Sequence, residues 1–79
     1  MASYYRVAVF FPGDGLVGYL DRRRYAVEAG KAAKLGTEAH ARLYGEEYCG
    51  KVKYSRYEIE RVETVVETVA SGSHRELTR

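Results

Sequence analysis

Two histidines, His40 and His74, and one cysteine, Cys49, are the side chains of this 79-residue chain best suited to nucleophilic, proton-transfer or metal chemistry near neutral pH. Cys49 and His40 would make a nucleophile and its base, but nine residues along one helix, at a rise of ~1.5 Å each, hold them more than ~10 Å apart. No second Cys or His stands at metal-site spacing. A lone cysteine forms no internal disulfide, so Cys49 reads as a small, semi-buried residue. "GDG", Gly13 to Gly15, has the start of a phosphate loop, yet no Lys with Ser or Thr follows and no helix stands behind it, so it reads as a hairpin turn. Glu58 and Glu60 fall on one face of a strand, where paired carboxylates could do acid–base work or imitate a row of phosphates. The simpler reading is a solvated edge that discourages strand-to-strand aggregation. The sequence therefore assigns no catalytic residue, no cofactor and no metal, and a chain this short has little interior in which to build a water-excluding cleft.

Binding chemistry is better represented. "YLDRRRY", Tyr19 to Tyr25, and "KVKYSRY", Lys51 to Tyr57, interleave cations with tyrosines. That mixture pairs with phosphates while its rings stack, and it also concentrates binding energy in protein interfaces. The candidate contact residues are Tyr19, Arg22, Arg23, Arg24, Tyr25, Lys51, Lys53, Tyr54, Arg56 and Tyr57. A competing reading makes the three arginines a solvated turn, ion-paired to Asp21 or Glu28. Of the eight tyrosines in a chain without tryptophan, about half are expected only to cap the edge of a small core with their hydroxyls in water.

The elements that must carry these groups form one domain. With 46% apolar and 30% charged residues the chain can fold, and its length leaves room for one small core. No apolar run approaches the ~18 residues that span a bilayer, and "MASYYRV" lacks the charged and apolar regions of a secretory leader; no membrane contact is expected, and the cytoplasm is the expected location. Charge is uneven. Residues 1–57 carry ten basic and six acidic side chains and residues 58–79 three and five, giving +4 and −2. Such a dipole orients a charged partner but falls short of the basic bias of a dedicated nucleic-acid binder.

"YYRVAVFF", Tyr4 to Phe11, puts Tyr5, Val7, Val9 and Phe11 on one face of a first strand. "PGDG" turns the chain, and "LVGYLD", Leu16 to Asp21, returns as the second strand of a hairpin, with Gly18 marking a bulge or a close backbone approach. "RRRYAVE" continues as a turn and a short third strand with Val27 inward. Thr37 caps a helix that Gly50 ends. Ala39, Leu43 and either Tyr44 or Cys49 form its inward stripe, while Glu38, Arg42 and Glu46 face water. Gly45 weakens the helix interior by ~1 kcal/mol, so packing must sustain it. Residues 52–63 read as a strand. Seven β-branched residues from Ile59 to Val69 extend that pattern, yet Ile59, Val62, Val66 and Val69 also fit a helical stripe, which leaves residues 64–69 open between strand and helix. The fold class is α+β: a small antiparallel sheet, made of an N-terminal hairpin plus a C-terminal strand, packed on one α-helix. Residues 1–70 form the domain and 71–79 a flexible C-terminal tail.

Gly18, Tyr19 and Leu20 in the hairpin, then a basic turn, then Ala33, Lys34, Leu35, Thr37, Glu38 and Ala39 at the start of the helix, resemble small bacteriophage and prophage proteins of ββαβ type over roughly two thirds of the chain. The resemblance implies a mobile-element origin and a non-enzymatic role, the binding and blocking of a host component, as in anti-CRISPR proteins. The end, "VVETVASGSHRELTR", departs from that pattern.

Three functions follow as expectations. The first is a non-enzymatic binding protein whose Tyr/Arg surface docks on a host protein or nucleoprotein complex and inhibits it sterically. The second is a small nucleic-acid-binding protein, with Arg22, Arg23, Arg24, Lys51, Lys53 and Arg56 on phosphates and Tyr54 or Tyr57 stacking. The third is a self-associating structural protein, a homodimer whose valine-rich end pairs across a two-fold axis. The small net charge of +2 and the acidic end favour the first.

Overall fold

The computed structural model describes residues 3–11, 15–52, 54–63 and 65–73. β1 (Tyr4–Phe11) is aromatic and β-branched along most of its length, which keeps it extended, and β2 (Gly15–Leu20) returns antiparallel to it. Gly15, at φ +71°, supplies a left-handed step of the reversal; Pro12 to Asp14 lie outside the described residues. Val9 faces Gly18 and Phe10 faces Leu16, so Val17 is the extra residue of a bulge. A Cβ on Gly18 would stand 3.0 Å from the Val27 carbonyl oxygen, so the glycine marks both the bulge and a close approach.

After β2 come β3 (Ala26–Val27), a 3-10 turn (Ala29–Lys31), α1 (Glu38–Lys51), and then a second hairpin of β4 (Arg56–Val62) and β5 (Val66–Ser73). The sheet order is β3-β2-β1-β4-β5, with every neighbour antiparallel. The fold is thus α+β, one helix on an antiparallel sheet. It carries two strands after the helix where the ββαβ pattern has one. β5 decides the open segment in favour of strand, and it runs to Ser73, three residues into the stretch expected to be a tail; residues 74–79 lie outside the described residues. An unpaired β4 edge accepts β-branched residues as a strand more readily than a short helix accepts them, because branching at Cβ restricts rotamers in a helix.

Alternation sorts the side chains. Val7 and Val9 stand opposite Ile59 and Tyr57, and with Leu20, Leu35, Ala41, Tyr44 and Cys49 they build the core under α1. Arg6, Ala8 and Phe10 turn to the other face, opposite Glu60, Glu58 and Arg56. Val27, expected inward, pairs with Tyr19 on that second face, because the neighbouring Leu20 already occupies the inward position.

Thr37 caps α1: its hydroxyl oxygen accepts the His40 N–H at 3.1 Å. The helix passes through Gly50, the expected stop, and ends one residue later, where the Val52 N–H donates to the Tyr48 carbonyl at 3.0 Å. Its inward stripe is Ala41, Tyr44, Gly45 and Cys49; Ala39 is exposed and Leu43 is 67% exposed, against expectation. The cause is Tyr57. Its ring, 0% exposed, lies between the helix and β5 at two glycines: a Cβ on Gly45 would come within 2.5 Å of the ring and one on Gly72 within 2.6 Å. Only a helix that presents Gly45 to the sheet can pass over this ring, and that phase sends Leu43 outward. The Tyr57 hydroxyl donates to Glu46 at 2.7 Å, drawing that carboxylate, expected in water, to a half-buried position. Burial, reinforced by the acceptor carboxylate, pushes the Tyr57 pKa up to about 12.

Candidate functional site

The turn from β2 to β3 is organised by Asp21. Its Oδ1 accepts the backbone N–H of Arg23 at 2.8 Å and of Tyr25 at 3.0 Å, while its own N–H donates to the Tyr25 carbonyl at 3.0 Å. The bond from the Tyr25 amide, followed by those from Arg23, holds the Asp21 carboxyl below the usual carboxylate range. Arg24 takes a left-handed conformation, φ +68°, and is committed to the fold: its Nε donates to Glu47 at 3.0 Å, its guanidinium lies 3.7 Å from the centre of the Tyr44 ring, and it bonds back to the Arg22 carbonyl. Arg23 pairs with Asp21 at 3.2 Å and lies 5.1 Å over the Tyr25 ring. Arg22 is exposed and forms no ion pair among the described residues. The three arginines thus do not act as one patch: Arg24 is structural, and Arg22, Arg23 and Tyr25 point outward.

Because Arg24 reaches across to α1, the turn and the end of the helix enclose a groove of about 250 Å³, lined by Arg23, Arg24, Tyr25, Glu47, Tyr48, Lys51 and Val52. Lys51, from the second basic segment, is brought here beside the first. Three lining residues are absent from the sequence-derived candidates. Glu47 pairs with both Arg24 and Lys51, the latter at 3.7 Å; its i,i+4 spacing to Lys51 was the legible sign of a place on the same helix face. Tyr48 and Val52 carry no such local sign.

The remaining candidates go elsewhere. Tyr57, expected as an exposed ring, is in the core. Tyr19 stands on the helix-free face, where its hydroxyl accepts from Arg6 at 3.4 Å and its ring lies 4.3 Å from the Arg6 guanidinium; Arg6 itself pairs with Glu60 at 2.7 Å. Arg56 lies 4.1 Å over Phe10 and pairs with Glu58 at 2.9 Å. Glu58 and Glu60 therefore sit on an interior strand as ion-pair partners, not along a solvated edge. Tyr54, at φ +66° in the turn before β4, is 56% exposed, and Lys53 lies outside the described residues.

Cys49 is fully buried rather than semi-buried, and burial raises its thiol pKa; His40 is exposed, edge-on to Tyr44 at 5.2 Å, and His74 lies outside the described residues. Among the described residues no group of three His, Cys, Asp or Glu side chains could hold a metal ion, and no helix is long and apolar enough to cross a membrane. No family model, no curated protein and no solved structure matches the chain.

Proposed function

We propose that this protein is a non-enzymatic binding module that docks on a partner protein through the groove between the Asp21–Tyr25 turn and the end of α1. The observation that carries this reading is the convergence of Arg23, Tyr25 and Lys51, from two separate segments, around one cavity that also exposes Tyr48 and Val52. Tyrosine and arginine at the mouth of an apolar hollow are the side chains that concentrate binding energy in protein interfaces. In keeping with the phage-like resemblance, the partner is a host protein or nucleoprotein complex of the cytoplasm, blocked sterically as anti-CRISPR proteins block theirs. Affinity capture from a bacterial lysate tests the reading: the wild type recovers a stoichiometric partner that Tyr25→Ala/Lys51→Glu, shown by thermal unfolding to remain folded, loses. Equal recovery by both proteins, or recovery of nothing by the wild type, refutes it.

Nucleic acid is the less favoured partner. Of the rings proposed to stack, Tyr57 lies in the core, and Arg24 and Arg56 are engaged by Glu47 and Glu58. Titration of a single-stranded oligonucleotide at several salt concentrations separates the two readings, since phosphate neutralisation makes affinity fall steeply with salt. A weak and flat response is expected.

A further inference from the structure

β5 is the outer strand on the β4 side of the sheet, eight residues long, whereas the opposite edge ends in the two residues of β3. Every edge strand turns half of its backbone N–H and C=O groups away from its neighbour, and such edges are usually guarded by lysine, proline or an inward charge. β5, "VETVASGS", has no lysine and no proline, and its one charge, Glu67, is bonded to Arg61 at 2.5 Å.

We propose that β5 pairs antiparallel with β5 of a second copy of this chain about a two-fold axis centred between Val69 and Ala70, joining two five-stranded sheets into one. The bulge in β5 carries the inference. Ile59 faces Ala70 and Glu60 faces Thr68, which makes Val69 the extra residue, and both Val69 and Ala70 pack against the core. Glu67, opposite Arg61, and Gly72, opposite Tyr57, share that inner face, while Thr68 and Ser71, opposite Glu60 and Glu58, share the outer one. In a regular strand, a two-fold axis between adjacent residues would set inner positions against outer ones, because faces alternate with period two. The bulge removes that mismatch. Val69 meets the second copy's Ala70, Thr68 meets Ser71 and Glu67 meets Gly72, each pair on one face, with no acid against acid. Apart from Glu67, which faces a glycine, the side chains at the seam are small and do not crowd one another across it. The groove lies at the opposite edge of the sheet, so this inference and the proposed function are tested separately.

Sedimentation velocity over a concentration series reads the outcome. The wild type shifts from monomer to dimer as concentration rises. Thr68→Lys/Ser71→Lys sets lysine against lysine twice and weakens the dimer, whereas Thr68→Glu/Ser71→Lys sets opposite charges there and retains it, a difference in dimer affinity of roughly tenfold. A wild type that stays monomeric throughout, or two variants that dimerise equally, overturns the inference. Should either variant fail to fold, amide exchange in the wild type decides: protection of residues 67–72 that grows with protein concentration supports the pairing, and protection independent of concentration overturns it.

Discussion

Tyr25 and Tyr57 each close a run of cations and tyrosines, yet the first is 61% exposed and the second 0%. The difference comes from what surrounds each run. Around Tyr25 the chain is in a turn knotted by Asp21, where no alternation applies and the ring leaves the surface beside Arg23. By Arg56 the second run is already strand β4, and strict alternation puts Arg56 out, Tyr57 in, Glu58 out and Ile59 in. Similar composition therefore yields a solvent-facing ring in one place and the keystone of the core in the other. A residue's exposure here follows from the element that carries it, a turn for Tyr25 and an inward strand position for Tyr57, not from its neighbours in sequence.

Removing the keystone gives the largest contrast. Tyr57→Ala empties the space between Gly45 and Gly72 and is expected to lower stability by ~3–5 kcal/mol, a large share of what a domain of this size has. A shift in the denaturant midpoint measures it, and a loss below ~1 kcal/mol would show that the ring does not hold helix to sheet.

Filling the clasp comes next. Gly45→Ala in an exposed helix would gain ~1 kcal/mol of propensity; here the new methyl meets the Tyr57 ring, and a net loss of ~1–3 kcal/mol is expected. Gly72→Ala meets the same ring from β5 and changes stability in the same direction. The sign alone, read by thermal unfolding, tests the packing.

Proton binding at Tyr57 supplies a third contrast. In the folded chain its hydroxyl keeps its proton to about pH 12, while an unfolded tyrosine releases it near 10. Below pH 10 both states hold the proton and this group leaves stability unchanged. Between pH 10 and about 12 the folded state binds the extra proton, so stability falls as pH rises, by on the order of 1 kcal/mol per unit. Chemical denaturation across that window detects the slope, and Tyr57→Phe should remove this residue's share of it.

The smallest effect is expected at the exposed counterpart. Tyr25→Ala should change stability by no more than ~0.5 kcal/mol while abolishing partner capture, since the ring contributes surface and not core. A stability loss of the Tyr57→Ala size would mean that the two tyrosines are alike after all.

Local signals were the ones that could be read from residue order. β1 was legible as Tyr4 to Phe11, the Thr37 cap was legible because a hydroxyl before a helix serves its own first turn, and Gly18 was legible as a place where a side chain would obstruct. The helix phase was not. Leu43 looks like a core residue and Gly45 like a weak point, and only the ring arriving from β4 reverses the two. The site behaves likewise. Arg23, Tyr25 and Lys51 were marked by composition, but Glu47, Tyr48 and Val52 acquire their place only when the turn meets the helix end.

Residue order alone determined the class of fold, the first hairpin and the presence of a capped helix, because propensities, turn chemistry and alternation act over a few neighbouring residues. Tertiary structure decided which face of the helix was buried, which tyrosine was sealed, how far the last strand ran and which cations shared a groove. Those outcomes depend on close packing between residues far apart along the chain, where one bulky ring excludes every arrangement that does not leave room for it.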